Sequence, residues 1–147
     1  FENIYLWTNY GLIPFWLMLI FIPNYRVTQI FVNSIIIPLI LACAYVYVIY
    51  QALILDISIF DFFKLYLSMD ELYALFATEN FLLVFWLHFL ALNIFLGGWI
   101  SRDAVKYSIT RGVVFFPLVL VYLAGPIGLI FYWIIRIFYA KKIKFHD

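Results

Sequence analysis

Charge is scarcest in this chain. Acidic and basic side chains make up 12% of its 147 residues, and their sum of +1 leaves no field to steer nucleic acid or an acidic substrate. Cysteine is nearly absent too: Cys43 stands alone, so no disulfide forms within the chain and the redox compartment goes unmarked. There is no Ser/His/Asp or Cys/His set and no glycine loop built to cradle phosphate. No Glu or Asp lies within a turn of His88, and the other histidine, His146, is in the tail, so zinc and di-iron chemistry are disfavoured and no metal site is expected. The first apolar run lacks a basic start and a small-residue exit, so it reads as a crossing and not as a cleavable signal peptide.

Apolar surface is present in excess. The chain is 68% hydrophobic and 23% aromatic, more rings than two interfacial belts need. Mean hydropathy is +1.07, far from the soluble balance. Four blocks, at about 4–22, 30–55, 81–100 and 113–140, reach the roughly 20 apolar residues that a helix needs to cross a bilayer. The expectation is a single all-α integral membrane domain over 1–147, a bundle of four transmembrane helices. A bacterial inner membrane or an organellar inner membrane fits.

Breakers and links refine this picture. Pro14 bends the first crossing, and Pro23-Asn24 ends it with a turn that makes the first two blocks an antiparallel pair. The segment 56–80 differs, with Asp56, Asp61, Asp70, Glu71 and Glu79 against Lys64. Leu65, Leu72 and Phe76 share one face there, which predicts an amphipathic surface helix between the second and third crossings. An even number of crossings places both termini on one side. Lys and Arg number five on that side and four on the other, which leaves orientation undecided.

Polar groups inside the crossings are the candidate site residues. His88 and Asn93 find no hydrogen-bond partner in lipid, so both are expected to face the bundle interior. Gly97 lies one turn beyond Asn93 and admits a close helix crossing. Gly125, Pro126 and Gly128 interrupt the fourth block, because Pro126 denies a donor to the carbonyl of Tyr122. That predicts a kinked, close crossing there, with blocks three and four packed at Asn93, Gly97 and the break. Arg102, Asp103 and Arg111 read as a solvated interfacial cluster. Arg136 reads as snorkelling toward Lys141, Lys142 and Lys144.

These residues also carry a family resemblance. Pro14-Phe15-Trp16-Leu17-Met18, Ile22-Pro23-Asn24 and Thr28 resemble the first hairpin of the family named after the plant abscisic-acid-deficiency protein required for neoxanthin formation. Tyr45-Val46-Tyr47 matches its second crossing. Trp86, His88, Ala91 and Phe95 are similar to its W-x-H-x-x-A-x-D-hydrophobic-F signature, Asp103 to its next acidic position, and Gly125–Gly128 to its final break. Asn93 stands where the family has Asp, so any proton transfer by that acid is lost. The resemblance implies a four-crossing membrane protein linked to converting an epoxy-carotenoid into an allenic one.

Three functional readings follow. The first is a non-catalytic accessory subunit of a larger, energy-converting membrane assembly, partnered by membrane lipids and other membrane-protein subunits. The second is a carotenoid or isoprenoid isomerase, as the resemblance implies. The third is a pigment- or lipid-binding protein built around His88. No resident cofactor is named by the residues: a bound lipid or carotenoid fits, while haem is disfavoured because His146 lies in the tail and cannot complete a bis-His site.

Overall fold

The computed structural model describes residues 2–22, 26–31, 36–55 and 60–140. Pro23, Asn24, Asn33, Ser34, Asp56, the basic run Lys141, Lys142 and Lys144, and His146 lie outside the described residues. The elements are α1 (Glu2–Phe21), α2 (Arg26–Phe31), α3 (Ile36–Leu55), α4 (Asp61–Lys64), α5 (Met69–Phe76), α6 (Glu79–Lys106) and α7 (Arg111–Ala140). Among the described residues there is no strand. α1, α3, α6 and α7 are long and apolar enough to cross a membrane, α7 when its two halves are counted together. This is a helical integral membrane protein.

The hub is α6. Half of its span (50%) is buried, against 17% for α1, 28% for α3 and 33% for α7. α3 packs along it through Val48, Leu83, Val84 and Leu87, and α1 through Leu12, Trp16, Leu19, Leu90 and Ile94. In lipid such contacts act by close packing, since hydrocarbon tails are as apolar as leucine. One polar tie reinforces them: the Trp86 indole donates to Asn9 Oδ1 across α1 and α6 at 3.0 Å. Between α3 and α6 lie the two short helices. Ser68 caps α5 by accepting from the Glu71 backbone at 3.2 Å, the geometry of an S-x-x-E start. Leu75 of α5 is buried against Ala52 and Phe81, while Asp70, Glu71 and Tyr73 are exposed.

α6 outruns the expected third block, which ended near residue 100. Arg102, Asp103 and Lys106 are helical, and the helix stops only at a cap. Ile109 N–H donates to the Ala104 carbonyl at 2.9 Å and Ser108 N–H to that of Val105 at 3.2 Å. This paired closure needs a left-handed residue, usually glycine, and here Ser108 adopts it at φ 56°.

α7 is two helices. Ala124 leaves helical geometry at φ −155° and ψ 78°. A continuous helix would drive the Pro126 ring into the Tyr122 carbonyl. Pro126 instead falls in the first turn of the second half, where no backbone donor is required. That half folds back along the first. A Cβ built on Gly128 would lie 2.8 Å from the Pro117 carbonyl and would overlap the Val121 backbone, so only glycine allows the approach. A straight helix would set Arg136 about 37 Å beyond Arg111 at about 1.5 Å per residue. Yet Arg136 bonds Asp103, next to the α6–α7 link. The described end of α7 therefore lies at the Asp103 end of the bundle, and not at the Glu79 end as a straight fourth crossing would require.

Candidate functional site

Depth along α6 orders the polar groups. Its 28 residues extend about 42 Å, so the hydrocarbon layer of about 30 Å covers all but the outer turns. Asn93 sits at the middle, Asp103 near one end, and His88 about 13 Å from Glu79.

At the Asp103 end the folded-back half of α7 delivers Tyr132 and Arg136. The Tyr132 hydroxyl donates to Asp103 Oδ2 at 2.5 Å. Arg136 Nε donates to the same oxygen at 2.7 Å and Nη2 to Oδ1 at 3.3 Å, a forked pairing. Asp103 is 6% exposed, while Tyr132 and Arg136 are wholly buried. Aromatic faces enclose the guanidinium, with Cζ lying 5.0 Å from the Tyr107 ring centre, 5.1 Å from Trp133 and 5.9 Å from Trp99. Trp99 and Trp133 stack on one another at 5.9 Å. A caged cation and a buried carboxylate close on each other here.

This arrangement corrects two expectations. Asp103 does not belong to a solvated cluster with Arg102 and Arg111, because the fold-back covers it; Arg102 and Arg111 are exposed. Nor does Arg136 snorkel toward the basic run, because the break turns it inward. Tyr132, Trp99, Trp133 and Tyr107 were missed as site residues. The signal was helical spacing: Tyr132 and Arg136 are one turn apart, as are Trp99, Asp103 and Tyr107.

At mid-depth Asn93 meets the break in α7. A Cβ on Gly125 would overlap Asn93 Oδ1, so α6 and α7 do approach closely at this position. Asn93 is 8% exposed, and its Nδ2 has no hydrogen-bond partner among the described residues. Gly97 belongs to a different contact. It faces α1, where an added Cβ would stand 2.7 Å from the Trp16 ring. Gly128 closes the hairpin within α7.

His88 points the other way from the expectation. It is exposed on α6, touching the Tyr45 ring at 6.1 Å and the Phe85 ring at 6.0 Å, and it makes no hydrogen bond among the described residues. α6 is apolar on nearly every side, so its sequence carried no periodic cue to which face would be buried. Arg111 donates from Nη1 to the Phe21 carbonyl at 2.7 Å and so caps the end of α1. Thr28 on α2 is wholly buried with its hydroxyl unpartnered among the described residues, and nothing in the structure explains it. Among the described residues no cluster of three metal-ligating side chains occurs.

Comparison with curated proteins and with solved structures finds no match. A family model does match, over residues 3–132, which takes in the Asn93 contact, Asp103 and Tyr132 and ends before Arg136. The chain belongs to the ABA DEFICIENT 4-like family.

Proposed function

We propose that this protein is a non-catalytic accessory subunit of a larger membrane assembly, in a bacterial inner membrane or an organellar inner membrane. His88 carries the reading. It stands several ångströms inside the hydrocarbon layer, faces away from the bundle, and has no hydrogen-bond partner among the described residues. An ionisable side chain at that depth normally turns toward protein or a water-filled cavity. A transmembrane helix of a partner laid along α3 and α6 would supply the missing bond and cover Tyr45 and Leu92, which share the His88 side. The inward polar groups support the same reading from the other side. Asp103 is held by Tyr132 and Arg136, an arrangement suited to locking α7 against α6.

The test is purification through a terminal tag from native membranes, with partners identified by mass spectrometry. The expected result is stoichiometric co-purification that His88→Leu lowers at least about tenfold while the melting temperature of the isolated chain stays unchanged. A monodisperse chain of its own mass without partners would overturn the subunit reading.

One observation favours a second reading, the carotenoid or isoprenoid isomerase. The unpartnered Asn93 amide sits at mid-membrane against a broken helix, the kind of place where membrane proteins build substrate sites. Asn93→Asp would restore the acid of the resembling family. Epoxy-carotenoid turnover by either form after reconstitution would establish this reading, and turnover by neither would remove it.

A further inference from the structure

A cleft of about 230 Å³ opens at the Asp103 end, where the last turns of α1 and α6 meet the first turns of α7. Arg111 and Ser108 are exposed at its rim, Ile20 and Val105 are its accessible apolar lining, and Ser101, Leu19, Val114 and Leu118 close it from beneath. The three apolar residues beneath are packed into the bundle, Leu19 at 0%, Leu118 at 1% and Val114 at 6% exposure, and so give the cleft a firm floor. One end of the cleft is thus cationic and hydroxylic and the rest hydrocarbon.

We infer that this cleft is a binding site for an anionic phospholipid, its phosphate on Arg111 and the start of an acyl chain against Ile20 and Val105, the accessible apolar residues of its lining. Three observations carry this. First, the Phe21 carbonyl fixes the guanidinium through Nη1, and its remaining N–H donors have no partner among the described residues. An oriented fork of that kind matches a phosphate. Second, this end of the molecule is basic. Arg26, Arg102, Lys106 and Arg111 stand here, and the only acid among the described residues at this end, Asp103, is bound to Arg136. Third, the size selects the ligand. At about 230 Å³ the cleft is below the roughly 300–1,000 Å³ of sites that engulf a whole ligand, which suits a headgroup. The chain of a lipid continues into the bilayer, so a headgroup is all the cleft must enclose. Basic pockets between membrane helices bind acidic headgroups by the same logic.

The experiment measures the melting temperature of the full chain in neutral detergent during titration with phosphatidylglycerol, phosphatidylcholine or inorganic phosphate. Phosphatidylglycerol is expected to raise it saturably and phosphatidylcholine is not. Arg111→Gln should weaken the phosphatidylglycerol response about tenfold. Val105→Trp provides a second variant: Val105 is 51% exposed at the mouth, so the ring narrows the cleft while every charge remains. It should weaken the response comparably, which keeps the idea testable if loss of the Arg111–Phe21 bond destabilises the fold. Lys106→Gln, outside the cleft, should leave it within about twofold. Equal responses to the two lipids would overturn the proposal. So would an effect of Lys106→Gln as large as that of Arg111→Gln, which would mark general surface charge. An equal rise with inorganic phosphate alone would show an anion site with no use for a lipid chain, and would overturn it too.

Discussion

Replacing Arg136 by Met removes both guanidinium bonds to a carboxylate that is 6% exposed. Methionine fills a similar volume between Trp99, Trp133 and Tyr107, so the packing loss is small and the electrostatic loss dominates. Asp103 keeps the Tyr132 hydroxyl at 2.5 Å, but one neutral donor does not balance a buried charge. Breaking a buried pair from one side costs about 3–5 kcal/mol, against about 0–1 kcal/mol for an exposed pair. Removing the carboxylate charge as well, in Asp103→Asn/Arg136→Met, should recover most of that cost. The asparagine carbonyl still accepts from Tyr132, and no charge remains buried. Arg136→Met is therefore expected to be several kcal/mol less stable than wild type, and the double variant to lie closer to wild type than either single one.

The assay is reversible unfolding in mixed micelles, followed by helix content and by tryptophan emission. Trp99 and Trp133, two of the five tryptophans, flank the guanidinium, so part of the emission reports the cage. A cost below about 1 kcal/mol for Arg136→Met would place the pair in water and refute the fold-back that buries it. A double variant as unstable as the sum of the singles would refute the coupling between the two side chains.

Other outcomes follow from the same geometry. With the exposed Cys43 replaced, single cysteines at Ser108 and Tyr139 should be labelled from one side of the membrane and a cysteine at Glu71 from the other; labelling of 139 together with 71 would mean that α7 runs straight. Gly97→Ala should destabilise by about 1–3 kcal/mol in the unfolding assay, because its Cβ would stand 2.7 Å from the Trp16 ring. Gly11→Ala, with nothing within 4 Å, should instead stabilise by about 0.5–1 kcal/mol. Ser108→Gly should add about 1 kcal/mol, since it relieves a left-handed residue at φ 56°; no gain would mean that the Ser108 side chain compensates for its backbone.

The four apolar helices were legible because lipid imposes a length and a composition that a single sequence can satisfy or fail. The Gly125–Gly128 break was legible as well, since Pro126 cannot continue a helix past Tyr122. Its angle was not. Whether such a break bends a helix or reverses it depends on what the second half can touch. Here Gly128 meets Pro117 and Val121 of its own helix, a contact that exists only after the reversal. The site followed from the same unknown. With a straight fourth helix, Asp103 and Arg136 belong to opposite membrane faces and no spacing rule pairs them. Once α7 doubles back, the one-turn spacings of Tyr132 with Arg136 and of Trp99, Asp103 and Tyr107 become two faces of one cage. The charges read as marking the edges of crossings were the groups that hold the broken helix in place. The reversal brings Arg136 to a carboxylate at the membrane boundary, and the closed pair in turn makes the reversed arrangement the one that leaves neither Asp103 nor Arg136 unpaired.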